Sequence, residues 1–502
     1  MELLIKGAAL SLLTRLGSYL SKQNTEAYVV GGFVRDRLLL RDTADVDITL
    51  KGNALEIAPG IAVALGGKYV LLDKVNRVGR VILAKEDGAG NWQLDFSTIK
   101  DNIEKDLGRR DFTVDAIAIS LDKLVKGTIT AEFIDPSGGL KDIQDKLIRA
   151  VSPIAFEQDA ARLLRAVRLA AELGFAISPE TEALIRRSCH LIPGVAAERV
   201  REELLRLLAI ADGGKLWLYL DDLGLLTTLI PELGQTKGVE QPREHQWDVF
   251  YHSVKAVEAV DFVLRRGSWQ HAGKEVLDYV PWSAELAGHF GLKVSGGSTR
   301  RLLTKLAALL HDIAKPQTKC ITTEGRTRFL GHAKEGAPIA AAILERLRFS
   351  TREIKLVEAV VRYHLRPAQM SRDELPTPRA IYRYFRDAGD GAIDTLFFSL
   401  ADHLATRGPD LDMANWQQHA SVVEYALNQH FKRESVTAPP KLINGHDLMK
   451  KFNLSPGPKI GQLLEAVREA QAAGEVSSKE EALSYIAQVL TLGKENPSLL
   501  AG

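Results

Sequence analysis

The chain has 502 residues, too many for one hydrophobic core to serve, so two to four domains are expected. Hydrophobic residues make up 45% and charged residues 26%, which excludes wholesale disorder, and 65 basic against 64 acidic side chains leave no overall basic excess to point at nucleic acid. The two cysteines, Cys189 and Cys320, lie far apart without paired spacing, which argues against a disulfide framework or thiolate metal site and fits a reducing cytoplasm.

The opening stretch MELLIKGAALSLLTRLGSYL carries apolar residues at helical spacing. Lys6 and Arg15 interrupt it and no small-residue cleavage site follows, so an amphipathic helix is expected in place of a signal peptide. No later run reaches membrane-spanning length, so no membrane partner is expected; no obligate protein partner is evident. Up to about Ala150, the short β-branched runs AYVV, ADVDITL, RVILA, WQLDF and AEFID alternate with helical patterns, the rhythm of an α/β unit.

AYVV, Gly31-Gly32 and FVRDRLLL read as strand, tight turn and helix. Paired glycines let the backbone approach a ligand, and a helix start offers free amides to phosphate oxygens. In ADVDITL a period of two puts Asp45 and Asp47 on one strand face, with Val46 and Ile48 on the other. Side by side these carboxylates repel, a cost that divalent metal offsets. Asp95, in Leu94-Asp95-Phe96, offers a third carboxylate on another strand. Three such groups could hold two Mg²⁺ ions, one activating a 3′-hydroxyl and the other bridging a triphosphate.

Gly-Gly followed by Asp-x-Asp resembles the signature of the DNA polymerase beta-like nucleotidyltransferase superfamily. The stretches IEKDLGRRDFTVDAIA (103–118), DPSGGLKDIQDKLIRAV (135–151), FEQDAARLLRAVRLAAELGF (156–175) and AAERVREELLRLL (196–208) narrow the resemblance. In that order they look like the motifs of the second structural class of the tRNA nucleotidyltransferase and bacterial poly(A) polymerase family. The resemblance implies that Arg109, Arg110 and Asp111 contact ribose and triphosphate, and adds Gly31, Gly32, Arg35, Arg165 and Arg168 as nucleotide-binding candidates. It also implies a tRNA 3′ end, CTP and ATP as partners. Two positions depart from the family: Gln158 stands where Glu is usual, and Asp115 where Asn is usual.

The third stretch also carries its own chemistry. Asp159 and Arg162 stand three positions apart, which on one helix puts them on a shared face with Leu163, Leu164 and Val167 opposite. A carboxylate accepts from an exocyclic amino group and a guanidinium donates to a ring nitrogen. Cytosine and adenine both present that edge, whereas uracil and guanine present the reverse, so one such pair could read CTP and ATP without a template.

From Pro153 onward strand signals almost vanish. ARLLRAVRLAAELGF, RVREELLRLLAI, RLLTKLAALLHDIA, AAAILERLRF and EIKLVEAVVRYHL have apolar residues at i, i+3, i+4 and i+7, so the remainder is expected to be helical. GLKVSGGST, within 265–300, reads as a mobile surface loop inserted between helices. VTAPPK, near Pro439, marks a later boundary, and SPGPKIGQLL a turn into a helix that offers amides at Gly457-Pro458.

HQWDVFYHSV, LLHDIAK, FLGHAKEGA, VVRYHLRP and LADHLAT place His252, His311-Asp312, His332, His364 and Asp402 on separate segments. Their order resembles the HD phosphohydrolase superfamily. The resemblance implies one metal bound by His252, His311, Asp312 and Asp402, with His332 and His364 as candidates for a second. Imidazole and carboxylate ligands suit a transition metal such as Ni²⁺ or Mn²⁺. His245, seven positions before His252, is either a substrate contact or a helix cap.

The expected fold is an α/β nucleotidyltransferase head of the polymerase beta type (1–150), then an all-α neck (151–235), HD domain (236–435) and tail (436–502). Two functions follow from it. One is an enzyme adding CCA, or part of it, to tRNA, with A-only or poly(A) addition as variants; the other is an HD phosphohydrolase using the head as an RNA-binding module. Asp45, Asp47 and the Asp159/Arg162 pair favour the first, because a binding module has no need of metal carboxylates.

Overall fold

The computed structural model describes residues 5, 7–85, 88, 90–125, 132–211, 213–370, 375–432 and 440–495. The chain divides into two compact units, Met1–Glu203 with Leu220–Leu229, and Leu204–Tyr219 with Ile230–Gly502.

The first unit is built on a seven-stranded sheet of order β3-β4-β5-β2-β1-β6-β7. Its strands are β1 (Ala27–Val30), β2 (Asp45–Leu50), β3 (Lys68–Asp73), β4 (Val78–Ala84), β5 (Asn91–Thr98), β6 (Ala118–Ser120) and β7 (Phe133–Ile134). Only β2 and β5 run parallel; every other neighbouring pair is antiparallel. The AEFID run therefore supplies a strand of two residues, with residue 131 outside those described. Along β2, Val46 and Ile48 are buried while Asp45 is exposed and Asp47 half-buried, so the two-residue period separates core from carboxylates as the sequence predicts.

Helix α1 (Gly7–Lys22) buries Leu12, Leu13, Leu16 and Leu20, the apolar stripe of the expected amphipathic helix. Helix α2 (Gly32–Leu38) follows β1 directly, and α3 (Ala54–Leu65) starts from an Asn53 side-chain cap. A short parallel ladder, Leu147–Ile148 against Ala176–Ile177, joins the end of this sheet region to the helices Arg162–Leu173 and Pro179–Ser188.

One expected helix is broken. Phe156 to Phe175 splits into Ala155–Gln158 and Arg162–Leu173, and Asp159 between them is extended (φ −155°, ψ 101°). The cause is local, because Asp159 Oδ1 accepts from Ala161 N at 3.2 Å, an alternative to helical hydrogen bonding that Asp readily adopts.

In the second unit the helices Val249–Val263, Arg300–Leu310, His332–Arg346, Thr351–Tyr363 and Ala392–Arg407 pack around a common apolar interior that includes Val257, Leu306, Leu344, Val357 and Leu400. The 265–300 segment is folded, contrary to the mobile loop expected of it. It forms the helices Lys274–Leu277 and Ala284–Gly291 and the hairpin Lys293–Ser295/Ser298–Thr299. Trp269, Val276, Val280, Leu286 and Phe290 are buried, Trp416 Nε1 donates to the Val276 carbonyl at 3.0 Å, and the ring of Phe290 meets Phe397 edge-on. Those apolar residues are dispersed among Gly and Ser, which hid their shared face. A second hairpin, Lys319–Ile321/Thr327–Phe329, is another pair of strands that the helical pattern concealed.

Towards the end of the chain the helices Gly445–Phe452, Pro458–Ala472 and Lys479–Glu495 share a core of Leu448, Leu463, Val467, Ala482 and Ile486. Pro458 opens its helix, where a missing N–H costs nothing, and most of VTAPPK lies outside the described residues. Among the described residues no helix is long and apolar enough to cross a membrane.

Candidate functional site

The turn between β1 and α2 requires glycine at position 31. Gly31 has φ 70° and ψ −139°, and a Cβ placed there would stand 2.6 Å from Arg110 Nη1 and 2.9 Å from Asp47 Oδ2. The backbone thus passes directly between a guanidinium and a carboxylate. Gly31→Ala should cost about 1–3 kcal/mol of stability through backbone strain, and more activity than that because Arg110 or Asp47 must move. Melting and nucleotide-incorporation rates measured together check this; an unchanged rate would show that the turn relaxes harmlessly. Gly32 begins α2, and Arg35, one turn on, pairs with Asp36 at 2.8 Å and with Asp115.

The carboxylates occupy neighbouring strands. Asp47 of β2 lies opposite Asp95 of β5 in the parallel register, with Asp45 two positions earlier on the same face. Burial pushes the Asp47 carboxyl above its usual range, against the pull of Arg110 and with Asp95 and Asp115 adding to the rise. Arg80 of β4 grips Asp95 through two bonds of 2.6 and 2.7 Å. An oxygen-only set in which Asp47 is disfavoured as an anion fits a hard divalent cation, which would restore its charge. Asp115, at the position where Asn was expected, is fully buried; one oxygen engages Arg35 and the other has no hydrogen-bond partner. Burial raises its carboxyl too, with Arg35 opposing.

Asp47 also faces a cavity of about 420 Å³ that is lined by Arg109, Arg110, Asp111, Asp159, Arg162, Arg165 and Arg199, among others. Arg165 pairs with Asp111 at 2.9 Å and Arg109 with Asp101 at 2.9 Å. Arg162 points its guanidinium at backbone, donating to the carbonyls of Arg109 (2.9 Å), Ala155 (3.3 Å) and Arg110 (3.4 Å). The Asp159 carboxylate is held by the guanidinium of Arg199 at 3.0 and 2.7 Å. Gly31, Gly32, Arg35, Asp45, Asp95 and Arg168 are not on the cavity lining. Arg168 is buried and spent on Glu203 (2.6 Å) and Glu172 (2.7 Å), the environment of a structural ion pair.

The second constellation gathers at helix ends. His252 sits in the first turn of Val249–Val263, His311 just past Leu310, His332 at the start of its helix, His364 just past Tyr363 and Asp402 within Ala392–Arg407. Nδ1 of His311, His332 and His364 lies 2.9, 2.8 and 2.7 Å from the carbonyl three residues earlier. A ring nitrogen facing a carbonyl carries a proton, which in a neutral imidazole leaves Nε2 as the ligand atom. These ring nitrogens converge: His332 Nε2 is 3.3 Å from His364 Nε2, and His311 Nε2 is 3.2 Å from His252 Nε2.

Asp402 lies 3.0 Å from His252 Nε2, and Asp312 lies 3.0 Å from His311 and 3.3 Å from His332. His252, His311 and Asp312 form one group with metal-binding spacing, and Asp312, His332 and His364 a second, so Asp312 belongs to both. Neither Asp312 oxygen has a hydrogen bond of normal geometry, although Lys315 Nζ stands 2.6 Å away. Imidazole nitrogens gathered around a buried carboxylate are the donor set of a cation site. Burial, with His311 and His332 adding, pushes His364 down to about 3 and keeps it a neutral ligand. Burial works to raise Asp402 but is outweighed by the hydrogen bond from His252 and by His311, so its carboxyl is lowered. His245, Lys315, Arg328 and Phe329 line the adjoining cavity of about 280 Å³.

Three family descriptions match in chain order: a poly A polymerase head domain over residues 27–149, a probable RNA and SrmB-binding site of polymerase A over residues 174–236, and an HD domain over residues 282–407. An A-adding tRNA nucleotidyltransferase of Deinococcus radiodurans is 32% identical across 92% of this chain and 94% of its own. The chain belongs to the tRNA nucleotidyltransferase family. A CC-adding member from Thermus thermophilus is likewise 32% identical, across 92% of this chain and 93% of its own. The structure of the Thermotoga maritima CCA-adding enzyme complexed with tRNA shares the fold, with a TM-score of 0.58 at 22% identity over 97% of this chain and 96% of that one. The family's head and the HD domain both imply use of divalent metal.

Three residues of the cavity lining, Arg199, Glu203 and Ser97, escaped the sequence reading of this nucleotidyltransferase. Arg199 and Glu203 sit four apart on the helix Ala197–Ala209, where the pattern marks a polar face but names no partner. Ser97, two residues beyond Asp95 on β5, also lines the cavity, and its place on the Asp95 face was available from the strand period.

Proposed function

We propose that this chain transfers nucleotides from CTP, ATP or both to tRNA 3′ ends, building CCA or part of it without a nucleic-acid template. The observation that carries this reading is that Asp47, Asp159 and Arg162 line one cavity. Mg²⁺ bound at Asp45, Asp47 and Asp95 would activate the 3′-hydroxyl and neutralise the triphosphate. Arg109, Arg110, Asp111 and Arg165 supply ribose and phosphate contacts, with Arg35, Gly31 and Gly32 shaping the turn beside them. Asp159 accepts from the base's exocyclic amino group, and Arg162 donates to its ring nitrogen from the N–H groups not aimed at carbonyls. Arg168 supports the helix that begins at Arg162.

Equal identity to an A-adding and a CC-adding relative leaves the product to experiment. Purified protein is given tRNA ending at the discriminator base, CC or CCA, with CTP and ATP singly and together, and the products are sequenced. Addition confined to CCA positions is expected. Long A tails would assign poly(A) synthesis, and no incorporation on any tRNA would overturn the reading.

A second activity is supported by the convergence on Asp312. The HD cluster holds a transition metal such as Ni²⁺ or Mn²⁺ through His252, His311, Asp312 and Asp402, with His332 and His364 beside it, and hydrolyses 2′,3′-cyclic or terminal phosphates. A protein with free thiols only, Cys189 and Cys320, is suited to the cytoplasm where tRNA is processed.

A further inference from the structure

We propose that Arg199 is a positioning residue for base selection: it holds the Asp159 carboxylate so that a single acceptor site is left for the incoming base. The inference deepens the proposed function and rests on the cavity being the nucleotide site.

Asp159 is not restrained by a helix, since its backbone is extended between two helix ends. Something else must hold its side chain. Oδ1 accepts from Ala161 N at 3.2 Å and from Arg199 Nη1 at 3.0 Å, and Oδ2 accepts from Arg199 Nη2 at 2.7 Å. An ionised carboxylate has about four lone-pair sites, so these three bonds leave one, on Oδ2. That site can accept an N–H and can offer nothing to a carbonyl. The exocyclic amines of cytosine and adenine satisfy it, whereas uracil O4 and guanine O6 meet it as a second acceptor and are repelled.

The forked pair also keeps Asp159 an acceptor. Burial works to raise its carboxyl, but the Arg199 hydrogen bond and charge lower it overall. A protonated Asp159 would carry an O–H able to donate to a keto oxygen, which would blur the choice. Planar two-point geometry is the guanidinium's contribution, and an ammonium supplies the charge without the fork. Arg199 itself is more than half exposed and starts a helix remote in sequence, so its replacement leaves the core untouched.

The test compares Arg199→Lys, Arg199→Gln and Asp159→Ala in the full-length enzyme, with kcat and KM for all four nucleotides on tRNA acceptors and a pH profile of the preference. Arg199→Lys should reduce the ratio of kcat/KM for CTP and ATP over UTP and GTP by about tenfold, the weight of one lost oriented contact. The turnover of the preferred nucleotide should change much less. Arg199→Gln, which loses the charge as well, should lose more selectivity and shift its decline towards higher pH, as protonation of Asp159 becomes easier. If both variants keep the wild-type ratio within twofold and an unaltered pH profile while Asp159→Ala loses the ratio, Arg199 is merely structural and the proposal fails. If Asp159→Ala also keeps the ratio, it is the reading of the cavity that fails. Equal loss of turnover with all four nucleotides would likewise overturn a role in base choice.

Discussion

Asp47→Asn should reduce nucleotide incorporation by about a thousandfold or more while leaving the fold intact, because losing a metal ligand removes several kcal/mol of transition-state stabilisation. The substitution keeps the side chain's volume. Burial already disfavours the charged form of Asp47, so removing the charge should leave the melting temperature unchanged or slightly raised. Asp45→Ala should lose activity similarly, from an exposed position that contributes little to packing. Single-turnover incorporation at saturating Mg²⁺, with melting curves and tRNA binding alongside, checks both. Near-wild-type incorporation by either variant would place the catalytic cations elsewhere.

Loss of His311 and Asp312 together should eliminate metal binding and phosphate hydrolysis in the HD domain and spare nucleotide addition. Asp312 belongs to both candidate metal groups, so its removal dismantles each at once. With two ligands gone, affinity for Ni²⁺ or Mn²⁺ should fall by more than about a hundredfold, beyond the loss typical of an outer-shell change. The cost to folding is separable. Burial opposes the Asp312 charge, but His311 and Lys315 hold its carboxyl well below the usual range, so Asp312→Asn alone should destabilise by about 3–5 kcal/mol by leaving the buried Lys315 charge with only the neutral Gln241 side chain as hydrogen-bond partner. His364→Ala disturbs only the second group and leaves Lys315 paired. Metal content by mass spectrometry, hydrolysis of a 2′,3′-cyclic nucleotide and incorporation on tRNA are the three readouts. A wild-type protein that takes up no metal would make the histidines structural. A double variant that melts normally yet no longer adds nucleotides would make the two activities one coupled system.

Much of this was legible in the residues themselves. The two-residue period of ADVDITL put Asp45 and Asp47 on one face, and β2 has that alternation, because strand geometry depends only on neighbours in the chain. Ordered motifs identified the nucleotidyltransferase head and the HD domain, and the family comparisons agree. The amphipathic start of the chain and the helical second half were likewise local properties. Tertiary structure decided what local spacing does not contain. Three positions between Asp159 and Arg162 imply a shared helix face only if the helix is continuous, and the Asp159 side chain ends it by capturing Ala161 N. The guanidinium that holds its carboxylate, Arg199, lies 40 positions away, and the burial of the 265–300 segment depends on Trp416 and Phe397, each more than a hundred positions from the residue it meets. Periodicity determines which side chains share a face, whereas what that face meets is set by how distant elements pack to bury apolar surface and satisfy polar groups.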